Sequence, residues 1–109
     1  MPKAKVAFRP LAEEDMTELY LYIAEQSGYP DRAIGYVRRL RDYCESLAEF
    51  PKRGTPRNDL RRGLWVIAFE RRAVIAYMIL PDGTVEIGRI FYGGRDYETL
   101  LREMPEDEW

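Results

Sequence analysis

The hydrophobic pattern in the second half of the chain is typical of three short strands. The runs Gly63–Phe69, Ala73–Leu80 and Val85–Tyr92 are rich in β-branched and aromatic residues. Glu70–Arg72 separates the first two runs, and Pro81–Thr84 separates the last two. The second separator contains Asp-Gly, which favours a tight turn because glycine reaches positive φ without steric cost. We therefore predict an antiparallel meander of three strands.

The first half of the chain begins with a different pattern. Lys5–Arg9 alternates polar and apolar residues, which predicts a short strand with Val6 and Phe8 on one face. After Pro10, apolar residues recur every three or four positions over residues 11–26. This spacing predicts an amphipathic helix.

A second helix is predicted to begin at Asp31, a residue type that caps helix N-termini, and to end at Phe50-Pro51. Its apolar stripe consists of Ile34, Val37, Leu40, Cys44 and Leu47. Ser27–Pro30 is the only link between the two helices, and a link this short predicts an antiparallel helical hairpin. Cys44 lies on the stripe, so we interpret it as a small core residue and not as a nucleophile.

The remaining segments are polar. Lys52–Arg62 has five basic residues among eleven and is predicted to be a loop. Asp96–Glu103 is predicted to be a short helix capped by Asp96, and Met104–Trp109 to be frayed. Together the elements predict one α+β domain over residues 1–109, in the order β-α-α-β-β-β-(α). The helical hairpin packs on one face of a mostly antiparallel four-stranded sheet.

The predicted strands are apolar on both faces. In Leu64–Phe69 and in Ala73–Leu80 both sets of alternating residues are apolar, whereas a sheet covered on one face alternates apolar with polar residues. A helical hairpin covers only one face. The pattern therefore predicts that the second face has no internal cover and is shielded by a partner.

Charge and composition narrow the function classes. The net charge is −2, but residues 31–72 carry 11 basic and 6 acidic groups between acidic ends. This basic middle is either a surface for an anion or partner, or an ordinary solvated surface. No apolar run approaches the ~20 residues of a membrane helix, and no signal peptide is evident, so we expect a cytoplasmic protein with no membrane contact.

The chain has no histidine and one cysteine. Histidine is the commonest general base near neutral pH and the commonest metal ligand. We therefore expect no metal, no cofactor and no conventional hydrolase chemistry, and the sequence favours a protein that is not an enzyme.

The part of the chain from roughly Lys5 to Leu101 contains several short segments in a specific order. They are Arg9–Asp15, Tyr20–Glu25, Leu47–Pro51, Gly54–Arg57, Asp59–Leu64, Ile75–Tyr77 and Ile87–Asp96. In this order and spacing they resemble the ParE branch of the RelE/ParE superfamily, the toxins of type II toxin–antitoxin systems.

The resemblance implies one of two kinds of toxin. ParE-like members are associated with inhibition of DNA gyrase and need no known catalytic residue, whereas RelE-like members are ribosome-dependent mRNA endoribonucleases. Both form a hetero-oligomer with an antitoxin whose C-terminal segment wraps the toxin and whose N-terminal part binds DNA. We expect a non-catalytic gyrase inhibitor without direct sequence-specific nucleic-acid binding. The alternatives are an mRNA endoribonuclease, or an inactive member that serves only as a partner of the antitoxin repressor.

The chain departs from the pattern of both branches. Tyr92 stands where ParE-like chains often carry His, and Met78 where they often carry Arg. The C-terminal Tyr expected of RelE-like enzymes is not evident near Leu100-Leu101. Arginine can bind phosphate, but with a pKa above about 12 it is a poor proton shuttle, which favours binding over cleavage.

Three sets of candidate residues follow from the resemblance and from residue type. The candidates for target binding are Arg61, Arg62, Arg89, Arg95 and Tyr97. If the protein were a nuclease, its candidate catalytic residues would be Arg57, Arg61, Arg89 and Arg95. The candidates for antitoxin binding are Trp65, Ile67, Phe69, Ile75, Tyr77 and Tyr92. For Arg89 and Arg95 the alternative is an ion pair with Glu86, Asp96 or Glu98.

Overall fold

The computed structural model describes residues 5–109 and contains three α-helices and five strands in that range. The elements are β1 (Val6–Phe8), α1 (Pro10–Ser27), α2 (Pro30–Ser46), β2 (Thr55–Pro56), β3 (Leu64–Phe69), β4 (Ala73–Ile79), β5 (Val85–Tyr92) and α3 (Tyr97–Glu103). Short 3-10 turns occur at Pro51–Arg53 and Glu106–Glu108. The predicted fold class and element order are confirmed.

The five strands form one sheet in the order β1-β5-β4-β3-β2. All neighbouring strands are antiparallel except β1 and β5, which are parallel. The prediction of four strands missed β2, where Thr55 pairs with Val66 and Pro56 with Trp65. Gly54 permits this pairing, because a Cβ at that position would lie 2.6 Å from the Val66 carbonyl oxygen.

The helix boundaries differ slightly from the prediction. Gly28 ends α1 in the left-handed conformation, with φ of 73°. The prediction that Asp31 caps α2 is wrong, because α2 begins at Pro30 and Tyr29 occupies the N-cap position. Proline suits the first helical turn since its fixed φ is already helical and its missing N–H would have had no partner. The N-cap at Asp96 is confirmed, and its carboxylate accepts a hydrogen bond from the Thr99 N–H.

The main core lies between the helical hairpin and one face of the sheet, here called the hairpin face. The helices contribute Ala12, Met16, Leu19, Tyr36, Leu40, Cys44 and Leu47. The sheet contributes Phe69, Ala73, Ile75, Tyr77, Val85, Ile87 and Ile90. Trp65, Ile67 and Tyr92 pack against the edge of this core. All six candidates for antitoxin binding therefore lie on the face that the hairpin covers.

The opposite face of the sheet, here called the second face, is covered by the C-terminal segment. Its core contains Leu60, Leu64, Val66, Ala76, Phe91, Leu101 and Trp109. The expectation that this face has no internal cover is thus wrong, and so is the expectation that Met104–Trp109 is frayed. The physical reason is shape: Gly88 has no side chain, and a Cβ built there would overlap the indole of Trp109.

The pairing of β4 with β5 shifts register between Ala76 and Tyr77. Ala76 pairs with Arg89 but Tyr77 pairs with Ile87, which leaves Gly88 as an extra residue in β5. β1 ends at Phe8, opposite Ile87. In the described part of the chain, the far side of the last five residues of β5 pairs with no strand, so an open sheet edge faces α1.

Candidate functional site

A groove of about 390 Å³ lies between α1 and the open edge of β5. It is lined by Asp15, Glu18, Leu19 and Tyr22 of α1 and by Ile90, Tyr92, Gly93 and Arg95 at the end of β5. Its volume falls within the range of ordinary ligand and peptide sites. The walls are apolar, and Glu18 and Arg95 place opposite charges on its lining. This groove is the candidate functional site.

Asp15 closes one end of the groove by bonding to the open edge. One carboxylate oxygen accepts a hydrogen bond of 2.9 Å from the Ile90 N–H, which β1 is too short to reach. Both oxygens accept from the Arg89 guanidinium, at 2.8 and 3.1 Å. Asp15 is only 8% exposed. The hydrogen bonds to Asp15 raise the pKa of Arg89 above its ordinary value.

A chain of aromatic side chains supports the other end of the groove. Tyr22 and Tyr92 meet edge-to-face with ring centroids 5.6 Å apart, and Tyr36 contacts Tyr92 in the same way at 5.7 Å. Tyr36 in turn contacts Phe69 in the main core. Burial raises the pKa of Tyr36 to about 12. Because Tyr36 joins Tyr92 to Phe69, the core beneath the groove fixes the position of Tyr92 in the groove wall.

The arginines predicted to bind a target or a phosphate do not form an open cluster. Arg57 donates to Asp59 at 3.0 and 2.9 Å and to Glu98 at 2.7 Å. These carboxylates raise the pKa of Arg57, and the hydrogen bond from Arg57 lowers the pKa of Asp59 to about 2. Arg61 pairs with Glu106 at 2.9 Å and donates to the Met104 carbonyl at 3.2 Å.

Arg89 is also paired internally, though not with a predicted partner. Its partner is Asp15. Glu86 instead pairs with Arg9, and Glu98 with Arg57. The alternative ion pairs expected for Arg89 are therefore wrong, because the extra residue in β5 and the short β1 bring Arg89 next to α1.

Two predicted target residues remain accessible cations. Arg62 and Arg95 are exposed. Among the side chains that the structure describes, neither has a carboxylate within 4.0 Å, so the ion pair expected for Arg95 with Glu86, Asp96 or Glu98 is also not formed. Tyr97 is half-buried beside Phe91, with its hydroxyl 3.5 Å from Arg57.

The six candidates for antitoxin binding are not equally accessible. Phe69, Ile75 and Tyr77 are buried, and the Tyr77 hydroxyl donates to the Pro51 carbonyl at 2.6 Å. Trp65 and Ile67 are half-buried at the core edge. Tyr92 is the member of the set that lines the groove.

Sequence reasoning missed the α1 side of the groove. Its immediate neighbours indicate only that Asp15 is one of several acids near a helix N-terminus. However, Asp15 lies four residues from Leu11 and four from Leu19. An acid at a helical spacing from two apolar residues points into the core side of the helix. That spacing was the available signal for a buried carboxylate with a partner.

The described part of the chain carries neither a metal-type cluster nor a membrane-spanning helix. Among the side chains that the structure describes, no three of His, Cys, Asp or Glu lie together as they would around a metal ion. No helix within the same range combines the length and the apolar character needed to cross a membrane.

The chain is similar to known proteins both in sequence and in fold. Residues 6–97 match the model of the family described as the ParE toxin of the type II toxin–antitoxin system parDE. A search of curated proteins found no match.

Two solved structures are similar in fold. A chain of the chromosomal ParDE toxin–antitoxin system from P. aeruginosa superposes with a TM-score of 0.71 at 16% identity, covering 83% of this chain and 96% of its own. A chain of the toxin–antitoxin complex RelBE2 from Mycobacterium tuberculosis superposes with a TM-score of 0.61 at 22% identity, covering 84% of this chain and all of its own, 100%. At these identities the likeness concerns the fold, whereas the family match spans most of the sequence. The chain belongs to the ParE toxin family of type II toxin–antitoxin systems.

Proposed function

We propose that the protein is a cytoplasmic toxin that inhibits DNA gyrase by binding it without catalysing a reaction, and that a cognate antitoxin neutralises it. The observation that supports a non-catalytic mode of action is that three of the four candidate nuclease arginines form ion pairs within the chain. Arg57, Arg61 and Arg89 are each held by a carboxylate of the same chain at 2.7 to 2.9 Å.

Cleavage of RNA requires groups that this chain lacks or has committed elsewhere. A 2′-hydroxyl must be deprotonated and the leaving oxygen protonated, which needs a group that titrates near neutral pH. The chain has no histidine. An arginine does not give up a proton near neutral pH, and one that binds a carboxylate of its own chain must exchange that partner before it can bind a phosphate. Both facts support binding as the mode of action.

We assign target contact to the accessible cations. Arg62 and Arg95 are exposed, and Arg95 also borders the groove. Arginine is enriched at the energetically dominant positions of protein interfaces. Arg89, which was predicted to share this role, supports the fold through its buried ion pair with Asp15 instead, and Arg61 is only 10% exposed.

We place the antitoxin in the groove between α1 and β5. An extended peptide can add a strand to an open sheet edge, where backbone hydrogen bonds give affinity and side-chain pockets give specificity. The groove offers both, because Leu19, Tyr22, Ile90 and Tyr92 form an apolar wall beside the edge. Glu18 and Arg95 provide one charge of each sign for the incoming segment.

The experiment compares two activities of the same purified toxin: inhibition of supercoiling by gyrase, and cleavage of ribosome-bound mRNA. We expect inhibition of supercoiling and intact mRNA. Arg62→Gln with Arg95→Gln should weaken inhibition, whereas Arg38→Gln, an exposed arginine on α2, should not. Intact supercoiling with cut mRNA would establish the endoribonuclease alternative, and no effect on either would point to an inactive member.

A further inference from the structure

The C-terminal segment and the basic loop carry opposite charges. The loop Lys52–Arg62 has five basic residues and one acidic residue, and the segment Glu98–Trp109 has one basic residue and five acidic residues. The segment lies beyond residues 6–97, which match the family. It turns back across the second face and meets the half of the loop that contains Arg57 and Arg61.

Specific contacts join the two segments. Glu98 binds Arg57 at 2.7 Å, and Glu106 binds Arg61 at 2.9 Å. In a third contact the charges are reversed, since Arg102 of the segment lies 3.7 Å from Asp59 of the loop. The acidic segment thus occupies the donors of two loop arginines that would otherwise face solvent together with Arg62.

Trp109 anchors the far end of the segment. Its side chain is 5% exposed and fills the space that Gly88 leaves on the second face. The Arg61 guanidinium lies 5.8 Å from the centre of the Trp109 ring. An aromatic anchor of this kind contributes through apolar burial and through the cation–π contact with Arg61.

The contacts made by Arg61 are incomplete. Its side chain is only 10% exposed, yet Nε is buried without a hydrogen-bond partner in the described structure. The Glu106 side chain that pairs with it is 96% exposed, and exposed ion pairs contribute little stability. A buried N–H without an acceptor lowers stability. A ligand with several oxygens would therefore satisfy Arg61 better than the segment does.

We propose that Arg57, Arg61 and Arg62 form a binding surface for the phosphate backbone of nucleic acid, and that the acidic segment Glu98–Trp109 covers this surface. Guanidinium groups bind phosphate bidentately, and the phosphate oxygens replace the carboxylates of Glu98 and Glu106. The surface presents no ordered set of groups for reading bases, so binding is independent of sequence. This inference goes beyond the proposed inhibition of gyrase and does not depend on it.

The test opens the cover in the full-length chain with Glu98→Gln, Glu106→Gln and Trp109→Ala. Binding to a fluorescein-labelled oligodeoxythymidylate is measured by anisotropy over a range of salt concentrations. We expect about tenfold tighter binding than wild type at low salt, with a salt dependence steeper by about one phosphate contact. In a Trp65→Phe background, where Trp109 is the remaining tryptophan, adding the oligonucleotide to otherwise unaltered protein should shift Trp109 emission to longer wavelength.

Matched variants separate this effect from net charge. Glu14→Gln, Glu25→Gln and Leu21→Ala remove the same two negative charges and one large apolar side chain at exposed sites of α1, and should leave binding at the wild-type level. Adding Arg61→Gln and Arg62→Gln to the opened variant should abolish the gain. If Trp109→Ala unfolds the protein, the variant with Glu98→Gln and Glu106→Gln alone carries the test. A folded opened variant that binds no better than the α1 control would overturn the proposal, and equal binding to polyglutamate would overturn its assignment to phosphate.

Discussion

Arg89 on β5 and Asp15 on α1 are 74 positions apart in the sequence and form a two-bond ion pair at 2.8 and 3.1 Å. The same carboxylate accepts the Ile90 N–H. A residue that sequence analysis proposed for target contact is thus a link between the first helix and the last strand. The pair also fixes the end of the groove to which we assign the antitoxin.

Removing Asp15 should cost much more stability than removing an exposed acid from the same helix. Asp15→Ala leaves Arg89 partly buried without its partner, and breaking such a pair costs about 3 kcal/mol. Glu13→Ala breaks an exposed pair with Arg41 and should cost less than about 1 kcal/mol. Urea unfolding of both variants measures the difference. Equal losses would contradict a structural role for the Asp15–Arg89 pair.

Two buried tyrosines should respond oppositely to loss of the hydroxyl. The Tyr77 hydroxyl donates to the Pro51 carbonyl and accepts from the Gly54 N–H, so Tyr77→Phe should lower the free energy of unfolding by about 1 to 3 kcal/mol. The Tyr36 hydroxyl is buried without a partner in the described structure, so Tyr36→Phe should be neutral or stabilising. Thermal and urea unfolding provide the measurement. A larger loss in Tyr36→Phe than in Tyr77→Phe would refute these hydrogen-bond assignments.

Cys44 should be unreactive in the folded protein. Burial raises the pKa of its thiol from 9.0 to about 12, so the reactive thiolate is suppressed. The thiol pKa is higher in the folded protein than in the unfolded chain. The contribution of the neutral Cys44 thiol to the free energy of unfolding is therefore complete below pH 9.0 and is lost as the pH rises toward 12. Labelling with a thiol reagent should therefore occur only as the protein unfolds. As the pH rises above 9.0, the free energy of unfolding should fall less in Cys44→Ala than in wild type. Labelling of the native protein at the rate of a free thiol would show that Cys44 is accessible.

Removing an aromatic side chain from the groove wall should weaken antitoxin binding. Tyr22 is 49% exposed and forms part of the groove, whereas Tyr29 is 59% exposed and does not line it. Tyr22→Ser should weaken binding of the cognate antitoxin by at least about tenfold, as expected for an aromatic anchor. Tyr29→Ser serves as the matched control and should bind as wild type does. Calorimetric titration distinguishes them, and equal affinity of the two variants would remove the groove from the interface.

Local patterns were sufficient to predict most of the fold. The boundaries predicted for β3 were Gly63–Phe69 and the structure has Leu64–Phe69, because alternation and flanking turns are properties of the segment itself. β2 could not be predicted in this way. A two-residue strand that contains proline has no periodicity, and it forms only because Gly54 lets the chain approach β3 and the Tyr77 hydroxyl.

The site was harder to predict than the fold because its contacts join distant parts of the chain. The terminal position of Met104–Trp109 indicated a frayed end, and nothing near Trp109 in the sequence reveals that Gly88 makes room for it. Likewise, the role of Asp15 depends on β1 being shorter than β5, which is a property of the assembled sheet. Residue type selected the arginines as candidates, but only tertiary structure distinguishes the paired Arg57, Arg61 and Arg89 from the exposed Arg62 and Arg95.

The most direct test of the central claim is a titration of purified DNA gyrase with the toxin, with the rate of supercoiling as the readout. Inhibition by binding should depend on the molar ratio of toxin to gyrase, reach a limit that longer incubation does not change, and reverse when the cognate antitoxin removes the toxin. Supercoiling that stays unchanged at every ratio, while the same toxin preparation cuts mRNA on ribosomes, would contradict the account.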